Sequence, residues 1–429
     1  MPKTVADLRR SYRRYGIRCS ANAPFMPPVH TDGRKAGSDG RFPFFSYICQ
    51  RKAPEMHCTS HMGKRLLLLL LSIGCCLAGF AAESYTLRGR VIDRLTRRPV
   101  AYAAVVLDGQ GDKGASTDST GRFAIERVRP GIYWLAASCI GYRNTLTPEY
   151  VVSAATPFIE IELVEDAAQL DAVTVTPTPF RRTAESPVGL QVIGLREIEK
   201  SPGANRDVSR IVRSYPGVSF SPVGYRNDLI VRGGGPSENV FYMDGIEIPN
   251  INHFATQGAS GGPVSIVNAD LVREINFYTG AFPADRAGAL SSVLDFRLRD
   301  GDPEKHSFKA TLGASEVSLS GNGPLSERTT YLFSVRQSYL QLLFKMLGLP
   351  FLPNYIDAQV KIKSKLSARD ELTVLGLTGI DNMRLNTDEK GEEAEYLLSY
   401  LPRIRQETFT VGAVYRHYAG QHTQSVSLS

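Results

Sequence analysis

Beyond its first 82 residues, this 429-residue sequence has almost no cysteine. Five of the six cysteines lie before residue 83, and Cys139 is the only one after it. A disulfide framework needs pairs of cysteines and a structural zinc site needs clustered Cys and His, so both are excluded for the body of the chain. Cys139 is predicted to be a small buried residue on a strand.

An excess of positive charge is also missing from the body of the chain. The formal net charge is +7, but residues 1–82 hold 13 Lys and Arg against 4 Asp and Glu. Subtracting these from the totals of 50 and 43 leaves 37 basic and 39 acidic side chains, a net charge of −2. Nucleic-acid binding therefore has no support, because it requires a basic surface.

The apolar run 66–80 is too short for a transmembrane helix, since it has 15 residues and a spanning helix needs about 20. Lys64 and Arg65 precede the run, and the small residues Gly79 and Ala81 suit cleavage. Residues 62–82 are therefore predicted to be a secretory signal peptide.

Two further interpretations concern the start of the chain. A lipoprotein signal ending at Cys75 or Cys76 is an alternative, although Ser72 stands where a leucine is expected. Residues 1–61 are rich in Arg, Pro and Gly without sustained periodicity, so they are predicted to be a disordered or mis-assigned leader.

Residues 83–165 are predicted to form a β-sandwich. Short apolar segments occur at 87–92, 103–107, 121–125, 131–138 and 158–163. Asp118-Ser-Thr-Gly121 and Arg129-Pro-Gly131 are turn sequences between them, because Asp, Pro and Gly favour tight turns. Regularly spaced short strands are typical of a sandwich, and a generic immunoglobulin-like sandwich fits equally well.

The most specific motif lies at 229–250. Two apolar segments, Leu229–Val231 and Val240–Met243, flank three consecutive glycines. Phosphate-binding loops also contain such glycines, but no Lys-Ser/Thr pair follows here and no helical pattern begins. Ile230-Val-Arg-Gly233 and Tyr242-Met-Asp-Gly245 resemble the centre of the plug domain of TonB-dependent outer-membrane receptors.

The resemblance to the plug covers residues 183–300. A helix over 207–213 is expected from the helical spacing of its apolar residues, and Pro216-Gly-Val218 after it resembles the end of the corresponding helix in the family. The alternation at Ile275, Phe277 and 293–296 favours a small mixed sheet. In the family, the plug closes the lumen of a large β-barrel.

Two segments before the plug resemble parts that accompany it in the family. Gly89-Arg-Val-Ile-Asp93 and the run 117–123 resemble the non-catalytic carboxypeptidase-regulatory-like domain. In the linker 166–182, one hexapeptide resembles the TonB box, a strand that adds to the edge of a sheet in the TonB C-terminal domain. That hexapeptide is Asp171, Ala172, Val173, Thr174, Val175 and Thr176. The alternative is that it forms the last strand of the sandwich.

The resemblance also implies functional side chains in the plug. Family plugs are latched in the barrel by two arginines paired with barrel glutamates, and Arg232 occupies the first of these positions. Thr279 stands at the second, so Arg286 is a possible substitute. A solvated turn residue is the alternative for Arg232. The loop residues expected to face a ligand are Asn250, Asn252, His253 and Phe254.

No cofactor or metal is expected. His253 has no second ligand at a suitable spacing for a metal, and the chain shows no nucleophile–base constellation, so it is not expected to be an enzyme.

From residue 301 the pattern predicts the first strands of a transmembrane β-barrel. Apolar residues at 356, 358, 360 and 362 alternate with polar ones, and 408–416 alternates in the same way. The predicted connections alternate in length: 321–328, 366–370 and 419–422 are short, whereas 343–354 and 382–405 are long. About six strands are expected in 301–429, whereas a plugged barrel has about 22, so the barrel is expected to be truncated.

The predicted fold is therefore mainly β, with a sandwich, an α+β plug domain and an incomplete transmembrane antiparallel β-barrel. The resemblance implies energy-coupled uptake of a scarce solute, such as a siderophore, metal chelate, cofactor or oligosaccharide, at the bacterial outer membrane. The expected partners are the TonB C-terminal domain, outer-membrane lipid, the solute and a surface lipoprotein. The alternatives are a β-sandwich adhesion protein or a carbohydrate-processing protein.

Overall fold

The computed structural model of the protein describes most of the chain from Ser84 onwards, and all of it belongs to one compact unit, Phe80–Ser429. The described residues are 84–108, 113–153, 156–166, 189–201, 207–220, 227–256, 262, 264–286, 288–313, 315–387, 395–396, 398–399, 403–420 and 422–429. The predicted leader, the signal peptide 62–82 and the TonB box Asp171–Thr176 lie outside these residues.

The first region is a set of nine short strands. They are β1 Tyr85–Asp93, β2 Ala104–Leu107, β3 Gly114–Ser116, β4 Arg122–Val128, β5 Gly131–Tyr133, β6 Leu135–Ser138, β7 Thr145–Leu146, β8 Tyr150–Val152 and β9 Ile159–Leu163. Sheets β4-β1-β9 and β3-β2-β6-β7 enclose one apolar core, and β5 pairs with β8. Alternate residues of β1, β2, β4 and β9 point inward, as period-two sequences require.

Cys139 lies just after β6 instead of on a strand. It is half-buried and packs at the edge of the sandwich core, so only the apolar part of its predicted role is confirmed.

The second region contains both helices and strands. Its elements are β10 Leu190–Gly194, α1 Leu195–Lys200, α2 Val208–Val212, β11 Val218–Phe220, β12 Leu229–Val231, β13 Asn239–Met243, β14 Ile246–Ile248, β15 Val272–Tyr278 and β16 Ser292–Leu298. The main sheet has the order β10-β15-β16-β13-β14, and β13 runs parallel to β16 while the other pairs are antiparallel. The predicted mixed sheet is confirmed.

The predicted helix near 207–213 is also confirmed. Asp207 caps α2, because its side chain accepts a hydrogen bond from the backbone N–H of Ser209. Val208, Ile211 and Val212 are buried against the sheet, which is why the apolar residues recur at helical spacing.

The third region is a single antiparallel sheet in which each strand pairs with its neighbour in sequence. Its elements are β17 Ser307–Leu312, β18 Glu316–Ser326, β19 Thr329–Ser338, α3 Leu340–Met346, β20 Phe351–Lys365, β21 Asp370–Leu385, β22 Ile404–Tyr418 and β23 Thr423–Leu428. The sheet is open, with β17 and β23 at its edges.

Two predictions for this sheet need correction. The sheet has seven strands instead of about six, because the chain reverses after Leu312 and so separates β17 from β18. Gly321 was placed in a turn, but it lies within β18, where an added Cβ would come within 2.6 Å of the Phe308 ring and 2.7 Å of the Phe333 ring. Glycine there makes room for aromatic rings on both neighbouring strands.

The alternation of connection lengths is confirmed with shifted bounds. Short connections at 327–328, 366–369 and 419–422 lie at one end of the sheet. The connections 339–350, which includes α3, and 386–403 lie at the other end. The short connection between β17 and β18 lies at the same end as the two long connections.

The exposed face of this sheet is apolar and its buried face is largely polar, which is the reverse of the arrangement in a water-soluble protein. Phe409 and Val411 on β22 are 66% and 71% exposed, whereas Thr408 and Thr410 between them are 8% and 9% exposed. On β20, Asp357, Gln359 and Lys361 are buried while Ile356 and Val360 are exposed. The sheet therefore presents an apolar face outward and a polar face to the second region.

Candidate functional site

The candidate site is the contact between the second region and the inner face of the seven-stranded sheet. Leu332, Leu375, Leu377 and Val414 of that sheet join the core of the second region. The two surfaces approach closely at Gly412, where an added Cβ would lie 2.7 Å from side-chain carbons of Ile246.

Polar side chains connect the same two surfaces. Lys361 Nζ on β20 lies 2.8 Å from Asp244 Oδ2 and 2.7 Å from Asp300 Oδ1. The contact with Asp244 is an ion pair without hydrogen-bond geometry. Asn268 donates a hydrogen bond of 2.6 Å from Nδ2 to Ser334 Oγ on β19. The buried Lys361 of the sheet thus has carboxylate partners in the second region.

Asp300 lies among three cationic side chains in this contact. Burial by itself raises the pKa of Asp300, but the positive charges of Lys361, Lys363 and Arg273 outweigh burial and hold the pKa well below its ordinary value. The carboxylate therefore stays ionised and its pairs with lysine persist.

Arg232, the predicted latch residue, lies in the turn after β12 with a φ of 51°. Its side chain is exposed, and Nη2 donates a hydrogen bond of 3.1 Å to Thr279 Oγ1. Among the described residues no carboxylate lies within ion-pair distance of Arg232. Pairing of Arg232 with a barrel glutamate therefore stays a prediction.

Arg286, the possible substitute for the second latch position, is held inside the second region. Nη2 lies 3.0 Å from Asp295 Oδ2, and the guanidinium carbon lies 4.7 Å from the centre of the Tyr242 ring. Burial lowers the pKa of Arg286, but Asp295 and Asp285 outweigh it and raise the pKa. Asp295 thus already satisfies the role of partner that a barrel carboxylate would fill.

The four residues predicted to face a ligand follow β14. Asn252, His253 and Phe254 are buried, and Asn250 is half-buried. His253 and Phe254 contact the seven-stranded sheet instead of open space. In this arrangement Asn250 alone has surface to offer a ligand, so ligand contact stays a prediction for that residue.

His253 has carboxylate partners that sequence spacing did not reveal. Nδ1 lies 2.6 Å from Asp381 Oδ1 on β21, and Nε2 lies 3.0 Å from Asp357 Oδ2 on β20. These partners are 128 and 104 residues away in sequence. The one available signal was the acidic residue at an inward position of each strand.

Two further observations are limited to the described ranges. No three His, Cys, Asp or Glu side chains there are grouped so that they could hold a metal ion. None of the helices there has both the length and the apolar character needed to cross a bilayer.

The domains of the chain match two known families. Residues 86–163 match the carboxypeptidase regulatory-like domain, and residues 182–292 match the TonB-dependent Receptor Plug Domain. The chain thus carries a plug domain of the TonB-dependent receptor class, preceded by a carboxypeptidase regulatory-like domain. The resemblance predicted from the Ile230–Gly233 and Tyr242–Gly245 motifs is confirmed. The plug family is a transporter and receptor family and not a class of enzymes.

Solved structures give a partial likeness, while no curated protein sequence matches. A mutant of the ferric enterobactin receptor PfeA from Pseudomonas aeruginosa is 20% identical, with a TM-score of 0.40 over 54% of this chain and 38% of that one. The siderophore receptor PirA from Acinetobacter baumannii is 16% identical, with a TM-score of 0.41 over 56% and 39%. The alcaligin outer-membrane receptor FauA from Bordetella pertussis is 17% identical, with a TM-score of 0.36 over 54% and 36%. The chain therefore spans less than two fifths of the length of these receptors.

Proposed function

We propose that the chain acts in TonB-dependent, energy-coupled uptake of a scarce solute across the bacterial outer membrane. The observation that carries the proposal is a plug domain packed against the polar face of an antiparallel sheet whose other face is apolar and exposed. Strands β20, β21 and β22 have 15, 16 and 15 residues, and a membrane-spanning strand needs about 9–11. A soluble adhesion or carbohydrate-processing protein has no use for such an outer face.

The arrangement of the connections supports an orientation for this proposal. Barrel proteins of the outer membrane have short turns on the periplasmic side and longer loops outside. The sandwich lies beside the short turns, because Lys365 Nζ is 2.7 Å from Glu160 Oε2 and the Arg97 guanidinium lies over the Tyr418 ring at 4.7 Å. The sandwich and the TonB box are therefore proposed to face the periplasm, where TonB binds.

The remaining partners follow from the same proposal. Outer-membrane lipid covers the apolar face, and a small solute binds at the end of the sheet that carries the long connections. The solute is a siderophore, metal chelate, cofactor or oligosaccharide, and a surface lipoprotein is a further partner. Arg232 is proposed to pair with a barrel glutamate.

The TonB box provides the direct test. A peptide spanning 165–180 is expected to bind a soluble TonB C-terminal domain, and Val173→Pro is expected to abolish binding because proline removes a backbone donor from the strand. Val173→Ile is the matched control, since it keeps the N–H and the β-branched side chain. Binding would be measured by isothermal titration calorimetry. Equal affinity of all three peptides would contradict the proposal that this segment recruits TonB.

A further inference from the structure

A ribbon of the plug, formed by residues 251–254 as its first segment and 264–266 as its second, lies on the inner face of the seven-stranded barrel sheet. The backbone N–H of His253 donates a hydrogen bond of 2.8 Å to the carbonyl oxygen of Val264. The backbone N–H of Ile266 donates one of 2.9 Å to the carbonyl oxygen of Ile251. The backbone N–H of Phe254 donates a hydrogen bond of 2.6 Å to Asp381 Oδ2 on β21. The ribbon is therefore attached to the barrel by a hydrogen bond from its backbone to a barrel side chain.

Arg336 on β19 holds the second segment of the ribbon. Its Nη2 donates to the carbonyl oxygens of Ser265 and Ile266 at 2.8 and 2.9 Å. Its Nε donates to Asp357 Oδ1 at 3.0 Å. Because Asp357 also contacts His253, both segments of the ribbon are linked through one carboxylate of the barrel.

The geometry of His253 favours the charged form of its ring. A neutral imidazole has one N–H donor and one acceptor nitrogen. Each ring nitrogen here faces a carboxylate oxygen, of Asp381 or Asp357, so a neutral ring would leave one nitrogen lone pair directed at a carboxylate. Only the imidazolium donates to both. The ring is completely buried, so water cannot replace either bond.

The groups that surround the ring agree with a positive charge. Asp357 and Asp381 face it from β20 and β21, and Arg336 neutralises Asp357 from β19. Tyr355 stacks on the ring with centroids 4.0 Å apart, and its hydroxyl donates to Glu316. Without the imidazolium, this cluster would hold three carboxylates against one guanidinium.

We infer that His253 is a positioning residue that clamps the plug ribbon to the barrel wall as an imidazolium, and that loss of its proton loosens the clamp. The inference rests on the proposed function, because uptake through a plugged barrel requires part of the plug to move away from the wall. Loss of the His253 proton is then a chemical trigger for separation of this ribbon, and this trigger is distinct from pulling on the TonB box.

The direction of the titration follows from the contacts. Burial lowers the pKa of His253, but the hydrogen bonds and charges of Asp357 and Asp381 outweigh burial and raise the pKa. A raised pKa in the folded state means that the clamp contributes fully below the ordinary histidine pKa of about 6.5. Its contribution is lost as the pH rises through the folded-state pKa.

Hydrogen exchange of the complete chain in detergent micelles tests the inference. Exchange of peptides that contain His253 and Ile266 would be followed by mass spectrometry from about pH 6 to about pH 10, corrected for the intrinsic rate. These peptides are expected to lose about tenfold protection as the pH rises, because charged hydrogen bonds are lost. Strand β15 of the plug is the internal reference and should not change.

Variants separate the clamp from general stability. His253→Gln is expected to give low protection at about pH 6 and a flat pH profile, and Asp381→Asn is expected to give lower protection than the wild type at about pH 6. His417→Gln is the matched control, since His417 also contacts a carboxylate, Asp370 at 2.7 Å, but at a turn of the barrel. It should keep the wild-type profile.

If a variant does not fold, the pH profile of hydrogen exchange in the wild-type protein still tests the inference. A flat wild-type profile, or a pH-dependent profile that persists in folded His253→Gln, would overturn it. Neither TonB nor a solute takes part in this measurement. Failure of the clamp therefore leaves the TonB-box result unaffected, and failure of the TonB-box test leaves the exchange result unaffected.

Discussion

The Arg232 side chain packs against Gly280, which lies in the bend after β15. The Arg232 backbone occupies the left-handed region, and its guanidinium crosses the backbone of Gly280 to reach Thr279. An added Cβ at Gly280 would lie 2.8 Å from Arg232 Nη1, and the φ of 149° is itself unfavourable for other residues. The exposed position of this guanidinium therefore depends on the absence of a side chain at Gly280.

Gly280→Ala is expected to displace the Arg232 side chain and to speed trypsin cleavage after Arg232 severalfold, because the added Cβ takes the space of the guanidinium. Gly288→Ala is the control, since Gly288 also has a positive φ of 92° but nothing lies within 4 Å of an added Cβ. Cleavage would be followed by mass spectrometry of the folded protein. Equal acceleration in the two variants would show that backbone strain and not contact with Arg232 is responsible.

At the scale of the strand, β22 shows how one sequence satisfies two environments. Its outward residues Phe409 and Val411 suit hydrocarbon, and its inward residues Thr408 and Thr410 suit the plug. Val411 lies midway along Ile404–Tyr418 and would be near the middle of the bilayer.

Val411→Arg is expected to disfavour insertion by about 2–4 kcal/mol, because a charge would face hydrocarbon. Ser425→Arg on β23 is the control, since Ser425 pairs with Arg416 on the face opposite to Val411. The folded fraction would be measured in membrane samples by the protection of the strands from added protease. An unchanged folded fraction for Val411→Arg would argue against a lipid-facing surface.

For the whole molecule, the stability of the plug inside the sheet depends on buried charge pairs. Lys361 is buried and pairs with two plug carboxylates, Asp244 and Asp300. Lys309 makes an equivalent 2.8 Å pair with Asp270, but its side chain is 53% exposed. The two lysines therefore differ in their exposure to solvent and in the number of their carboxylate partners.

Lys361→Met is expected to destabilise docking of the plug by about 3–5 kcal/mol, because it leaves a buried carboxylate without its partner. Lys309→Met should cost about 1 kcal/mol or less, since the half-exposed Lys309 ammonium is screened by water. Pulse proteolysis in increasing urea would measure the loss of stability caused by each substitution. Equal effects of the two substitutions would contradict the assigned role of Lys361.

Local sequence determined the strands, the glycine turn and the identity of the plug. Leu229–Val231 and β13 were predicted because period-two apolar segments bounded by glycine have few alternatives. Alternation in β20 and β22 predicted the apolar outer face for the same local reason. The sequence did not predict the chain reversal after Leu312 or the place of Gly321 in β18. Glycine close to proline favours a turn, and only the pairing of β18 with its neighbours places Gly321 beneath the rings of Phe308 and Phe333.

Only the tertiary structure decided which polar residues meet. His253 lies beside Asp357 and Asp381 because the pairing of β19, β20 and β21 aligns their inward positions with the ribbon. Alternation identifies an inward position, but it does not say which plug residue lies opposite, since that depends on register and on the position of the plug in the barrel. The sequence therefore determined the elements and their faces, and the packing of the plug against the sheet determined the charged contacts between them.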